Sequence, residues 1–181
     1  GRARARHGAT LARLIPPAAL RREVARHFDL DADRPIVVFL SKYVSRFFSD
    51  REKEAFYRTF IAAAKELDGF QAIVKAHPNE DLSVLRLQME EWGWPEAVLT
   101  KDYDIHRLLG AADAAVMVTS MAGIEAMALG CPVVAVQAAG KSYEDGQEDI
   151  FQFLLSTPLD GTGRAPGSEV HPAGSFAATL P

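Results

Sequence analysis

Short apolar runs alternate with helical patterns along most of this chain, and this alternation restricts the fold more than any other feature. Five runs rich in β-branched or small apolar residues are typical of buried strands. They lie at 36–40, 71–76, 97–100, 114–118 and 132–136. Apolar residues at helical spacing occupy the stretches between them. Such an arrangement indicates an α/β domain with a doubly wound parallel sheet of about five to six strands, covered by helices on both faces.

The two ends of the chain differ from this central body. Residues 1–33 are rich in arginine and predict an N-terminal linker followed by a helix around 20–28. Residues 34–156 hold the alternating pattern and are the predicted α/β domain. Residues 157–181 are rich in Gly, Pro, Ser and Thr, with almost no hydrophobic pattern. That composition predicts a disordered tail.

Composition excludes several classes of protein. The net charge of -4 argues against a partner made of nucleic acid, because such binders are usually basic. Cys131 is the single cysteine, so neither a disulfide framework nor a cysteine-rich zinc site can form within the chain. We expect no metal site and a cytoplasmic location. No apolar run approaches the roughly 20 residues that a membrane-spanning helix needs.

Polar residues follow most of the predicted strands. In open parallel sheets, ligands bind beyond the carboxyl ends of the strands, where these residues gather. Several of the side chains are hydrogen-bond donors suited to an anion, although the chain has neither a glycine-rich dinucleotide fingerprint nor a P-loop. The residues concerned are Ser41, Lys42, His77, Lys101, Thr119 and Ser120.

The Thr119–Ser120 pair and His77 favour phosphate binding but have simpler interpretations. Thr119 and Ser120 lie where a strand passes into a helix, so their hydroxyls and the free N–H groups of the helix can bind phosphate. A plain helix cap is the alternative. His77 precedes a proline that favours extended geometry, which can direct the imidazole across the strand ends. A locally hydrogen-bonded histidine is the alternative, and for His106, inside a helical pattern, that interpretation is favoured more strongly.

Glu125 lies five residues after Ser120 on the same predicted helix, among apolar neighbours. A carboxylate near a helix N-terminus is stabilised by the helix dipole and can accept hydrogen bonds from both hydroxyls of a ribose. The alternative is a solvated carboxylate that only provides a favourable charge to the helix.

Four segments together resemble one known pattern. They read KAHP at 75–78, DIHRLL at 104–109, AD at 112–113 and TSMAGIEAMALGCPVV at 119–134. This combination is similar to the C-terminal, Rossmann-like domain of GT-B-fold glycosyltransferases. The closest likeness is to the bacterial capsule and surface-polysaccharide group, which includes sialyltransferase-like enzymes and the glycerophosphotransferases of teichoic acid synthesis.

The resemblance implies a role for each candidate residue. His77, Thr119 and Ser120 would bind the phosphate of a CMP-, UDP- or CDP-linked donor, and Glu125 would bind its ribose. Ser41, Lys42 and Lys101 are accessory candidates, although many relatives have a glycine-rich turn where this chain has Ser41 and Lys42. The donor is a substrate, so no cofactor is expected.

The family's acceptor site and catalytic base belong to an N-terminal domain, so the catalytic residues stay unknown and the isolated chain is expected to be inactive. Peripheral association of the full-length enzyme with the inner membrane is left open. Two alternatives also remain. UDP-N-acetylglucosamine 2-epimerases share the architecture and a similar E-A-x-x-x-G-x-P-V segment, and a non-catalytic nucleotide-binding domain would show the same pattern.

Overall fold

The computed structural model describes residues 17–45, 48–66, 69–118 and 120–137, together with the backbone of 168–172. These residues form five helices and six strands. The helices are α1 (Pro17–Phe28), α2 (Asp50–Glu66), α3 (Leu82–Glu91), α4 (Ile105–Ala111) and α5 (Met121–Ala128). The strands are β1 (Ile36–Leu40), β2 (Gln71–Lys75), β3 (Val98–Thr100), β4 (Ala114–Met117), β5 (Val133–Gln137) and β6 (Ser168–Pro172).

All six strands form one parallel sheet in the order β3-β2-β1-β4-β5-β6. The chain moves outward from β1 to β3 and then returns to place β4 on the other side of β1. The direction of strand addition therefore reverses between β1 and β4, and loops that leave adjacent strands there separate to open a crevice. The predicted doubly wound parallel sheet is confirmed.

Helices cover both faces of the sheet because the central strands are apolar on both sides. All five residues of β1 are buried. On one face, Phe39 packs with Phe56 and Phe60 of α2, and α3 contributes Leu85 to the same cluster. On the other face, the core joins strand residues to the apolar sides of α1, α4 and α5.

Helix α1 belongs to this packed domain, although the sequence pattern groups it with an N-terminal linker that ends at residue 33. Leu20 and Val24 are fully buried on the second face of the sheet. Arg21 donates hydrogen bonds to the Ala32 carbonyl oxygen at 2.6 Å and to the Asp113 carboxylate at 2.7 Å. An amphipathic helix next to a linker has the same local sequence as one that packs, so only the long-range contacts reveal the difference.

Strand β6 lies inside the segment for which the sequence predicts a disordered tail, and for Ser168–Pro172 that prediction is wrong. These residues pair in parallel with β5, with Val134 opposite Glu169 and Ala135 opposite Val170. Main-chain groups make this pairing, so it does not require the apolar pattern that the sequence lacks. A proline is also tolerated in an edge strand, where one side of the backbone needs no partner. The rest of 157–181 lies outside the described residues.

Within the described ranges, no helix combines the length and apolar character needed to cross a membrane.

Candidate functional site

An open cleft of about 420 Å³ lies at the carboxyl ends of β1, β2, β3 and β4, next to the reversal point of the sheet. Every loop that leaves these four strands contributes to its wall. The lining residues are Leu40, Ser41, Lys75, Ala76, His77, Pro78, Tyr103, Ile105, Ser120, Ala122 and Glu125.

His77 follows the end of β2, and its main chain and ring are both fixed by the turn that it begins. The His77 N–H donates to Glu80 Oε2 at 2.7 Å, and its carbonyl oxygen accepts from the Glu80 N–H at 2.9 Å. Its Nδ1 accepts from the Asn79 N–H at 3.1 Å. With Nδ1 acting as an acceptor, the proton of the neutral ring is on Nε2, which can donate to a ligand.

The ring of His77 also packs against Tyr43, with ring centroids 4.3 Å apart. Partial burial lowers the pKa of His77 from its usual value. The charge of Glu80 acts in the opposite direction, whereas Lys42 and Lys101 lower the pKa further. The two lysines therefore bring positive potential to the imidazole.

A buried ion pair supports the turn that begins at His77. Glu80 and Lys53 are each about 6% exposed, and Lys53 Nζ lies 2.7 Å from Glu80 Oε1. Lys53 also donates to Gln88 of α3 at 3.1 Å. Since Glu80 binds Lys53 through one carboxylate oxygen and the His77 N–H through the other, it connects α2 to the cleft.

Lysine side chains stabilise the loops around the cleft by donating to backbone carbonyls. Lys101 Nζ donates to the Glu80 carbonyl oxygen at 2.8 Å. Lys75, the last residue of β2, donates to the Tyr103 carbonyl oxygen at 2.8 Å and to that of Lys101. Burial lowers the pKa of Lys75, with Asp102 and Asp104 opposing that shift. Lys42 Nζ lies 5.7 Å from the centroid of the Phe48 ring.

Ser120 begins α5 as its N-cap. Its hydroxyl oxygen accepts from the Ala122 N–H at 3.2 Å, so the capping interpretation is correct. Capping uses the oxygen as an acceptor and leaves the hydroxyl hydrogen available for a ligand. One turn further on, a Cβ at Gly123 would collide with the buried side chain of Met117. Glycine at this position therefore lets the N-terminus of α5 approach β4 closely.

Glu125 lies on α5 at the cleft wall, and its side chain is about 36% exposed. Its Oε2 lies 3.4 Å from Nε2 of His106, a residue of α4 that is almost fully buried. No local sequence pattern indicates this contact, because the two residues are in different helices. Glu125 therefore has a buried imidazole of another helix beside one of its carboxylate oxygens.

The structure brings His77, Ser120, Glu125 and the accessory candidate Ser41 to the same cleft. Ser41 is buried and accepts a hydrogen bond from the Tyr57 hydroxyl at 2.6 Å, which gives it a structural role. Lys42 and Lys101 do not line the cleft, although their charges reach His77. Thr119 lies outside the described residues.

The cleft wall also contains Lys75, Tyr103 and Ile105, to which the sequence interpretation assigned no role. Each lies at or shortly after a strand end, so the rule that identified the other candidates could have included them. The described residues contain no group of three or more His, Cys, Asp or Glu side chains placed to hold a metal ion.

A family model described as capsule polysaccharide biosynthesis protein matches residues 43–144, which is more than half of the chain. The chain belongs to this family. The matched range begins at the Tyr43 that packs on His77 and includes every described residue of the cleft wall beyond Ser41. No curated protein matches the sequence.

Several solved structures resemble this chain, and one of them supports the fold. A glycosyl transferase family 9 protein from Veillonella parvula superposes with a TM-score of 0.52 at 12% identity, covering 86% of this chain and 40% of that one. E. coli ADP-heptose lps heptosyltransferase II gives a TM-score of 0.47 at 16% identity, with coverages of 89% and 47%. The wall teichoic acid polymerase TagF gives 0.46 at 17% identity, with coverages of 65% and 26%.

This member of the capsule polysaccharide biosynthesis family thus spans between about a quarter and a half of the length of those proteins. The resemblance to the bacterial capsule and surface-polysaccharide group inferred from the sequence is confirmed by the family, and the Rossmann-like fold is confirmed by the structure. At these identities the structural likeness carries no residue roles, so those must be argued from the cleft itself.

Proposed function

We propose that this chain is the donor-binding half of a glycosyltransferase, which transfers a sugar or glycerophosphoryl unit from a nucleotide-activated donor during surface polysaccharide synthesis. The observation that carries the proposal is the convergence of His77, Ser120 and Glu125 on one cleft at the reversal point of the sheet. Open α/β sheets bind nucleotides at this position.

The phosphate of the donor would lie between His77 and the N-terminus of α5. The Nε2–H of neutral His77 and the Ser120 hydroxyl are donors there, and the N-terminus of α5 adds the positive end of the helix dipole. Lys42 and Lys101 add positive potential. Donors fixed before the reaction stabilise the negative charge that develops on a departing nucleotide, which is what a transferase requires.

The ribose would lie against Glu125, whose carboxylate can accept hydrogen bonds from the two neighbouring hydroxyls. Glu125 and Ser120 both belong to the start of α5 and both line the cleft. A hydroxyl donor and a carboxylate in one cleft suit a ligand that presents a phosphate and a sugar hydroxyl together. A nucleoside monophosphate or diphosphate has both groups.

In this proposal the acceptor site and the catalytic base belong to another domain of the complete protein. The 181-residue chain therefore binds nucleotide without transferring sugar. An assay of the complete protein that distinguishes sugar transfer from epimer formation decides between a transferase and a UDP-sugar 2-epimerase. Nucleotide binding by the complete protein with no turnover supports the non-catalytic alternative.

The binding site is tested by ligand-observed NMR with CMP, UDP, GDP and CDP-glycerol, followed by affinity measurements on Ser120→Asp. Aspartate is a good N-cap, so α5 keeps its cap, whereas the added negative charge repels phosphate. We expect affinity for the best ligand to fall at least about tenfold, since one charge-assisted hydrogen bond is worth roughly 1.5–3 kcal/mol. Unchanged affinity contradicts the phosphate site.

Two lysines provide a matched control. Lys101 and Lys65 each donate to a backbone carbonyl, Lys101 to that of Glu80 and Lys65 to that of Gly93 at 3.1 Å. Lys101→Ala and Lys65→Ala remove the same charge and a similar hydrogen bond, but only Lys101 affects His77. Nucleotide affinity should fall in Lys101→Ala alone. Equal losses in both variants indicate a non-specific effect of net charge.

A further inference from the structure

His106 is a buried titratable side chain to which neither the sequence interpretation nor the proposed function assigns a role. It belongs to α4, is only about 4% exposed, and is followed by the buried residues Leu108 and Leu109. Its Nδ1 has no hydrogen-bond partner among the described residues, and the Asp104 carboxylate lies 3.8 Å away. Its Nε2 lies 3.4 Å from Glu125 Oε2.

Packing does not explain a histidine at this position. A leucine would fill the space between helix and sheet without burying a polar atom that lacks a hydrogen bond, and such atoms are rare in folded proteins. The arrangement is explained if the imidazole acts on the carboxylate that it faces. Glu125 has three rotatable side-chain bonds, and one protein contact to Oε2 restricts them while Oε1 stays available for a ligand.

We infer that His106 is a positioning residue, which orients the Glu125 carboxylate toward the ribose hydroxyls and thereby gives the cleft its preference for ribonucleotides. This inference rests on the proposed function, because it needs a nucleotide in the cleft. His106 does not touch the nucleotide. It restricts the Glu125 side chain before the ribose binds, so less conformational entropy is lost on binding.

The test compares dissociation constants for CDP, UDP and GDP with those of their 2′-deoxy forms, in the wild type, Glu125→Gln, His106→Leu and the double variant. The ratio of the two constants is the readout, because a partly unfolded sample weakens both ligands equally and leaves the ratio unchanged. We expect a wild-type preference for the ribonucleotide of about tenfold, the value of one charge-assisted hydrogen bond. Both single variants should lose most of it, and the double variant should match Glu125→Gln.

Amide substitutions of His106 keep the test decisive if the leucine variant does not fold. Glutamine places its amide nitrogen near the position of Nε2, so His106→Gln should retain most of the ribose preference. Asparagine places its amide near Nδ1, on the Asp104 side, so His106→Asn should lose it. Equal preferences in these two variants overturn the inference.

The outcomes separate the inference from the proposed function. A preference that Glu125→Gln abolishes but His106→Leu and His106→Asn retain overturns the role of His106 and leaves the ribose site intact. A preference unchanged by Glu125→Gln removes the ribose site and the inference together, while the phosphate site is still tested by Ser120→Asp. Loss of the preference in Glu125→Gln, His106→Leu and His106→Asn, with retention in His106→Gln, supports both.

Discussion

The two edges of the sheet carry similar polar residues, but these residues serve different purposes. At the amino-terminal edge, polar groups are paired within the protein. Asp113 accepts from the Ile36 N–H and from Arg21, both at 2.7 Å, and the Gln71 side chain bonds both main-chain groups of Asp31. At the carboxyl-terminal edge, His77, Ser120 and Glu125 each keep a donor or acceptor directed to no described residue.

A binding site thus differs from a stabilising network that is made of the same types of side chain. In a stabilising network, the donors and acceptors of the protein pair with one another. In a binding site, some donors or acceptors stay available to a ligand beside groups that are fully paired. Glu80 marks the boundary between the two. It lies at the carboxyl-terminal edge but is buried and paired with Lys53 and the main chain of His77.

The largest expected effect tests that boundary. Glu80→Ala leaves the Lys53 ammonium buried without its carboxylate and the His77 N–H without an acceptor, so the free energy of unfolding should fall by about 3–5 kcal/mol. Lys53→Met combined with Glu80→Gln removes both charges and keeps an acceptor, so it should lose far less. Urea unfolding measures both. A loss below about 1 kcal/mol in Glu80→Ala would place Glu80 outside the stabilising network.

A smaller effect is expected at the amino-terminal edge. Asp113→Ala removes the acceptor of the buried Ile36 N–H and the partner of Arg21, which should cost about 2 kcal/mol of stability. Asp113→Asn keeps an acceptor oxygen and should cost roughly half as much. In both variants nucleotide affinity of the folded protein should match the wild type. Weakened binding would show that the two edges are coupled and that the comparison is too simple.

The smallest expected effect concerns His77, whose pKa can be followed by NMR of its ring. In the free chain this pKa should lie below about 6.5, because burial favours the neutral ring. The stability that His77 contributes is thus present above about pH 6.5 and is lost as pH falls toward the folded pKa. A bound phosphate favours the protonated form, so saturating CDP or UDP should raise the pKa. His77→Gln identifies the signal, and a pKa that no nucleotide changes would contradict a phosphate at His77.

Much of the fold was predictable because its signals are local. Each predicted strand from β1 to β5 matches an observed strand within a residue or two, since runs such as Ile36–Leu40 suit a strand buried on both sides. Strand β6 was missed because its pairing depends on main-chain contacts with β5. The placement of α1 was missed because its packing depends on residues 90 positions away in the sequence.

In the candidate site, too, local signals were predictable and long-range contacts were not. The rule that ligands bind beyond strand ends selected His77, Ser120 and Ser41, which line the cleft, and Lys42 and Lys101, which do not. No local pattern could reveal that Lys53 pairs with Glu80 or that His106 faces Glu125, because each pair joins two elements that the chain connects only through long segments.

The sequence by itself determined where strands β1 to β5 lie, which polar residues follow them, and that a helix begins near Ser120. These properties follow from side-chain periodicity and from hydrogen bonds between residues a few positions apart. The tertiary structure decided the strand order, and with it which loops share a crevice and which buried charges meet. Those outcomes depend on how helices pack on each face of the sheet. Such packing brings together residues that are far apart in the sequence, and no local pattern indicates which of them will meet.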